Sequence, residues 1–162
     1  MQPEEDTGMK NSTDRQKDRV LSFPSGGTYE QILLTHIHAH PIKRGFPKEP
    51  TEYVMFRKKG GIMDRLFRVS KTIDLYISDI LDGDALDQRV DTSDMERIHR
   101  YVFERKQRFG FKFLNEYPYR FYLLEMSSEL IPPIIKSPNI QGYCYYKWQD
   151  VIDRCRDGGM VP

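Results

Sequence analysis

The sequence predicts an α+β fold: a small, strongly bent sheet or barrel with three helices packed across it. Three observations lead there. Leu, Ile and Val share the apolar positions with 10 Tyr and 9 Phe, a mixture that suits pleated, half-buried surfaces better than a helical bundle. Short sheet-forming runs are bounded by Gly and Pro clusters. The inferred order is helix, hairpin, acidic loop, helix, strand, strand, helix, with no internal repeat. At 162 residues the chain fits one domain, which buries roughly two-thirds of its unfolded surface without a disulfide or structural metal.

Residues 1–19 are polar and mixed in charge and read as a disordered or loosely held tail, leaving residues 20–162 as the domain. After the turn cluster Pro24-Ser25-Gly26-Gly27, Thr28 stands three residues before Gln31, which is capping-box spacing. Tyr29, Ile32, Leu33 and His36 follow at helical intervals, so a helix is expected to run to about His40, where Pro41 stops it. Glu52 to Arg57, the turn Lys58-Lys59-Gly60-Gly61, and a strand within Asp64 to Ile77 predict a hairpin. The stretch Ser78 to Thr92 reads as an exposed acidic loop. Ser93 and Glu96 mark a second capping box, and Met95, Ile98 and Val102 form the apolar stripe of a helix to about Arg108, ended by Gly110. Tyr119 to Glu125 alternates as a strand, and Pro132-Pro133 is expected to break the chain. Gln141 to Tyr146 reads as a strand. Trp148, Val151, Ile152 and Cys155 share one face of a last helix, closed by Gly158-Gly159.

No run approaches the roughly 20 apolar residues of a membrane span, and no apolar h-region marks a signal peptide. Cys144 and Cys155, the two cysteines, are expected to be free thiols, and a cytoplasmic location follows. The net charge of +1 names no partner, but its distribution is uneven. Ile42 to Lys71 holds nine bases against three acids, Ile73 to Glu96 one base against eight acids, and Arg97 to Arg120 seven bases against two acids. If the two basic segments meet in space they form a phosphate-attracting face.

His36, His38 and His40 are the conspicuous local cluster. On a strand they share one face; on a helix only His36 and His40 do, at a spacing some zinc sites use. No Glu directly follows His36, so the H-E-x-x-H general base is missing, and no metal is expected. Neither a G-x-S-x-G elbow nor a phosphate-loop glycine spacing is present. Aromatic and basic residues, by contrast, are interleaved along the hairpin, near Tyr119 to Tyr122, and near Tyr143 to Trp148. Base stacking on such rings contributes roughly 1–3 kcal/mol per base.

Glu52 to Arg57 with Phe67-Arg68-Val69, then Tyr119 to Glu125, then Pro133-Ile134 followed by Ile140-Gln141-Gly142 and Tyr145 to Ile152, resemble in order the PUA-like superfamily, including the EVE and ASCH domains. The resemblance spans roughly residues 50–155. It implies a small barrel that binds RNA or reads a modified or flipped base in DNA, without cofactor and without chemistry. On that resemblance Tyr145, Tyr146 and Trp148 are the aromatics nearest the closing strand, and Arg57, Lys58, Lys59 and Arg68 the phosphate-facing side. Two other classes remain open: a small metal-dependent hydrolase or nuclease, and an inhibitor-like protein that docks a protein partner through its acidic loop.

Overall fold

The computed structural model describes residues 18–83, 90–137 and 139–155. Six strands, β1 (Arg19–Pro24), β2 (Ile37–Pro41), β3 (Tyr53–Arg57), β4 (Ile62–Leu75), β5 (Tyr119–Ile135) and β6 (Cys144–Lys147), form one sheet in the order β2-β5-β4-β3-β1-β6. Four helices accompany them: α1 (Tyr29–Thr35), α2 (Ile77–Asp82), α3 (Thr92–Arg108) and α4 (Trp148–Ile152). That is one more than the three expected, the extra one being α2 within the acidic segment. β1 and β3 are parallel, and all other neighbours are antiparallel. The chain is therefore α+β, as expected. The sheet is nevertheless open, because no ladder joins β2 to β6, so the barrel alternative is not formed.

The sheet is strongly bent. Phe23 on β1 and His38 on β2 meet with ring centroids 4.4 Å apart, although their strands stand fifth and first in the sheet. Strand alternation explains what fills the bend. Leu21, Phe23, Val54, Phe56, Phe67, Tyr122 and Leu124 point inward and bury against Tyr29 and Ile32 of α1. The opposite face is covered in two pieces. Ile37, Phe121 and Leu123 pack on Ile98, Tyr101 and Val102 of α3, and Val20, Met55 and Leu66 pack on Val151 of α4.

Several expectations need correction. The run Arg19–Pro24 is a strand, so the anticipated tail boundary falls inside the sheet; residues 1–17 of that tail lie outside the described residues. The first helix ends at Thr35, and His36 takes a left-handed conformation (φ 53°) as its cap. Ile37 to Pro41 then alternates between two buried faces and pairs with β5, and tertiary pairing overrides the helical spacing. Neither capping box forms. Thr28 Oγ1 donates instead to Ser25 O and Gln31 Nε2 to Tyr101 O. The α3 cap is Asp91, which accepts from the Asp94 amide. The acidic segment is not a single loop, since Ile77 and Ile80 are fully buried in α2 and Thr92 opens α3. Its residues 84–89 lie outside the described residues, as do Gly158-Gly159.

Pro132-Pro133 does not end β5 either. Pairing with β4 jumps from Arg65↔Glu129 to Met63↔Ile134, so the prolines sit in a bulge where no ladder amide is required. There Leu130 bridges Cys155, and the Ile131 amide donates to Arg154 O. The hairpin, α3 and its Gly110 terminus (φ 71°) form as expected. Cys144 and Cys155 are free. No helix among the described residues is long and apolar enough to cross a membrane.

Candidate functional site

The open seam between β1 and β2 is where polar groups gather. β2 turns Ile37 and Ala39 toward α3, and the same alternation directs His38 and His40 into the bend beside Phe23. His40 Nδ1–H donates to Pro41 O and Tyr122 Oη–H donates to His40 Nε2, both at 2.9 Å. That pair of bonds selects a neutral imidazole. Burial, chiefly, depresses the His40 pKa to about 4, with the Arg120 charge adding to it against the bond to Pro41 O. His38 is enclosed, and burial first, with the nearby Arg105 charge adding to it, holds it neutral. Its Nε2 has no hydrogen-bond partner among the described residues.

Around this pair lies a hollow of about 370 Å³, within the size range of small-ligand sites. Phe46 forms one wall and stacks on His40 at 5.2 Å, with only 8° between the planes. Phe113 forms another, with Lys43 Nζ 4.7 Å and Lys112 Nζ 5.5 Å from its ring centre. Arg105 supplies a third cation, fixed by bonds from Nη1 to Ala39 O and Tyr101 Oη and lying over Phe111. Among the described residues no carboxylate lines the hollow. The two basic segments therefore converge here, Lys43 from the first and Arg105 and Lys112 from the second. Other members are neutralised by the acidic segment: Lys71 pairs with Asp94 and Arg120 with Asp74.

Two further hollows adjoin it. Across the loop Pro24–Thr28, one of about 420 Å³ is lined by Arg57, Lys58 and Lys136. On the far side of Phe46, one of about 340 Å³ holds Tyr143, Tyr145 and the Arg19–Glu49 pair. The intervening loop is fixed by Ser25, whose amide and hydroxyl both donate to Arg57 O. Gly27 lies so close to Phe109 that a Cβ there would stand 3.2 Å from the ring.

The residues singled out from the sequence are distributed unevenly over this surface. Arg57 is buried and bonds Gly142 O, and Lys58 reaches Asp64 at 2.5 Å; both line the second hollow. Lys59 is exposed on the turn, and Arg68 is exposed on β4, 3.7 Å from Glu125 and away from the three hollows. Tyr145 lines the third hollow beneath the Arg19 guanidinium, 4.3 Å from its ring centre. Alternation along β6 sends Tyr146 to the other sheet face, where it and Trp148 pack beside Tyr53. Tyr145, Tyr146 and Trp148 thus do not share one cage. His36 stays behind as the α1 cap, with its ring edge to Phe67. Among the described residues no three His, Cys, Asp or Glu side chains group as a metal site.

Lys43, Phe46, Arg105, Lys112 and Phe113 are the site residues that sequence reasoning did not single out. Their one prior signal was membership of the two basic segments. No family model, curated protein or solved structure matches the chain.

Proposed function

We propose that the protein binds nucleic acid and seats an unstacked base in the hollow between His40, Phe46 and Phe113. The observation that carries this reading is the composition of that hollow: aromatic walls, a rim of Lys43, Arg105 and Lys112, and no carboxylate among the described residues that line it. Flipped or single-stranded bases are held by stacking on rings and by hydrogen bonds to the base edge, while cations take the phosphates. His38 lines the hollow as a neutral ring. Of the adjoining hollows, one adds the rings Tyr143 and Tyr145 beside Arg19 and the other adds the cations Arg57, Lys58 and Lys136, which suits a strand laid across the seam. A PUA-like reader of modified or flipped bases is the specific form of this proposal.

Fluorescence anisotropy tests it, using single- and double-stranded DNA and RNA with and without modified bases, at two salt concentrations. The expected result is salt-sensitive binding. Phe46→Ala should weaken it by the equivalent of about 1–3 kcal/mol, roughly 5- to 150-fold. Lys112→Gln should lower the salt slope by about 0.7 for a lost single-strand contact. Absence of binding at low salt to every oligonucleotide sinks the reading.

A further inference from the structure

The second hollow has a chemistry of its own. Three connections meet there: Pro24 and Gly26 after β1, Lys58 to Gly61 between β3 and β4, and Lys136 to Gly142 before β6. Among the described residues its charged side chains are Arg57, Lys58 and Lys136, and no carboxylate lines it. Among the described residues only Lys58 of the three has an acidic partner, Asp64, which also accepts the Tyr29 hydroxyl at 2.7 Å. Lys136 Nζ donates to Ile140 O at 2.6 Å, and Arg57 Nη2 donates to Gly142 O.

Arg57 is the informative residue. It sits at the end of β3 on the face of Tyr53 and Met55, is only 3% exposed, and its Nε is enclosed without a partner among the described residues. A buried guanidinium bonded to a neutral carbonyl and left with an open donor is costly, and an oxyanion is the group that offsets that cost. The walls are built around it. Gly61 (φ 77°) leaves room for the Lys136 stem, which a Cβ at that position would strike, and the Lys136 amide is tied to Gly61 O at 3.0 Å. The lysine is thereby held over the turn as a fixed wall of the hollow.

We propose that the Arg57–Lys58–Lys136 hollow binds a phosphate group. Resting on the nucleic-acid reading above, that phosphate belongs to the strand whose base is seated across the Pro24–Thr28 loop, since the two hollows share Pro24 as a wall. The guanidinium presents its donors to the phosphate oxygens, and Lys136 and Lys58 add point charges.

The test uses the full chain and two probes. In the first, inorganic phosphate is titrated against ¹⁵N-labelled protein at constant ionic strength with chloride. The Arg57 Nε–H and the Gly60, Gly61 and Gly142 amides should shift together, and Lys136→Gln, which keeps the backbone bond to Gly61, should weaken the effect about tenfold. In the second, oligonucleotide anisotropy on Lys136→Gln should show a salt slope smaller by about 0.7. Phosphate shifts without oligonucleotide binding support the phosphate site with free phosphate as its source, and the nucleic-acid reading fails. Oligonucleotide binding with an unchanged slope in Lys136→Gln, or phosphate shifts that bypass Arg57, overturns the site and leaves that reading intact.

Discussion

His40 shows how one side chain ties stability to pH. Its ring is enclosed between Phe46 and Phe23 and hydrogen-bonded as the neutral form. Its pKa of about 4, depressed mainly by burial, lies below the value of about 6.5 for an unfolded histidine. Between those values the unfolded chain binds the proton and the folded one does not. Stability is therefore full above pH 6.5 and is lost as pH falls through 4, on the order of 3 kcal/mol for this residue. His38 acts in the same direction, while Asp74 opposes the shift at His40. Urea unfolding at steps between pH 7 and 4 should show this decline, and His40→Gln should flatten it. An equal decline in the variant assigns the pH dependence to other groups. The histidine run stood out in the sequence, yet its role did not, because a metal cluster and a buried neutral pair share the same spacing. Only the pairing of β2 with β5 decides which face each ring takes.

At the scale of elements, Arg97 of α3 ties the end of α1 and β5 to its own helix. From α3 its Nε donates to Thr35 O and its Nη2 to both His36 O and Leu124 O, while Nη1 pairs with Asp94 at 3.1 Å. It thus satisfies the last carbonyls of α1 and holds that end against β5. Arg97→Met keeps the apolar stem and removes the donors, so stability should fall by about 2–4 kcal/mol. Arg100→Met, which loses only an exposed pair with Glu104, should change it by less than about 0.5 kcal/mol. Denaturant unfolding of both variants checks the contrast, and equal small losses remove Arg97 from this role. The helix bearing Arg97 was legible because its stripe Met95, Ile98, Val102 and its stop at Gly110 are local signals. The hairpin was legible for the same reason, through Lys58-Lys59-Gly60-Gly61. β1 was not: buried along Val20 to Phe23, it lacks the apolar–polar alternation of a half-exposed strand. β2 was hidden inside a helical spacing that its long-range pairing overrides.

On the scale of the whole molecule, the bend of the sheet creates the site. β1 and β2 approach through Phe23 and His38 without a ladder between them, so only side-chain contacts bridge the open seam there. The hollow draws on Phe23 of β1, His40 of β2, Phe46 of the following loop, Arg105 of α3 and Phe113 beyond it. Residues so distant in sequence leave no spacing motif, which is why the basic segments were visible as charge and their meeting point was not. A ligand seated there touches both sides of the seam and must stabilise the folded chain by mass action. At a free concentration 100 times its Kd, an oligonucleotide should add about 2.7 kcal/mol, a rise in Tm of roughly 5–11 °C for a domain of this size. Phe46→Ala should lose about a third or more of that rise at the same oligonucleotide concentration, and Arg68→Gln, which lies away from the hollows, should keep it. Hydrogen exchange should slow at the amides of residues 23–28 and 43–46. Binding that raises Tm equally in Phe46→Ala, with protection elsewhere, would move the interface off the seam, because contact with a surface patch carries no requirement that β1 and β2 be held together.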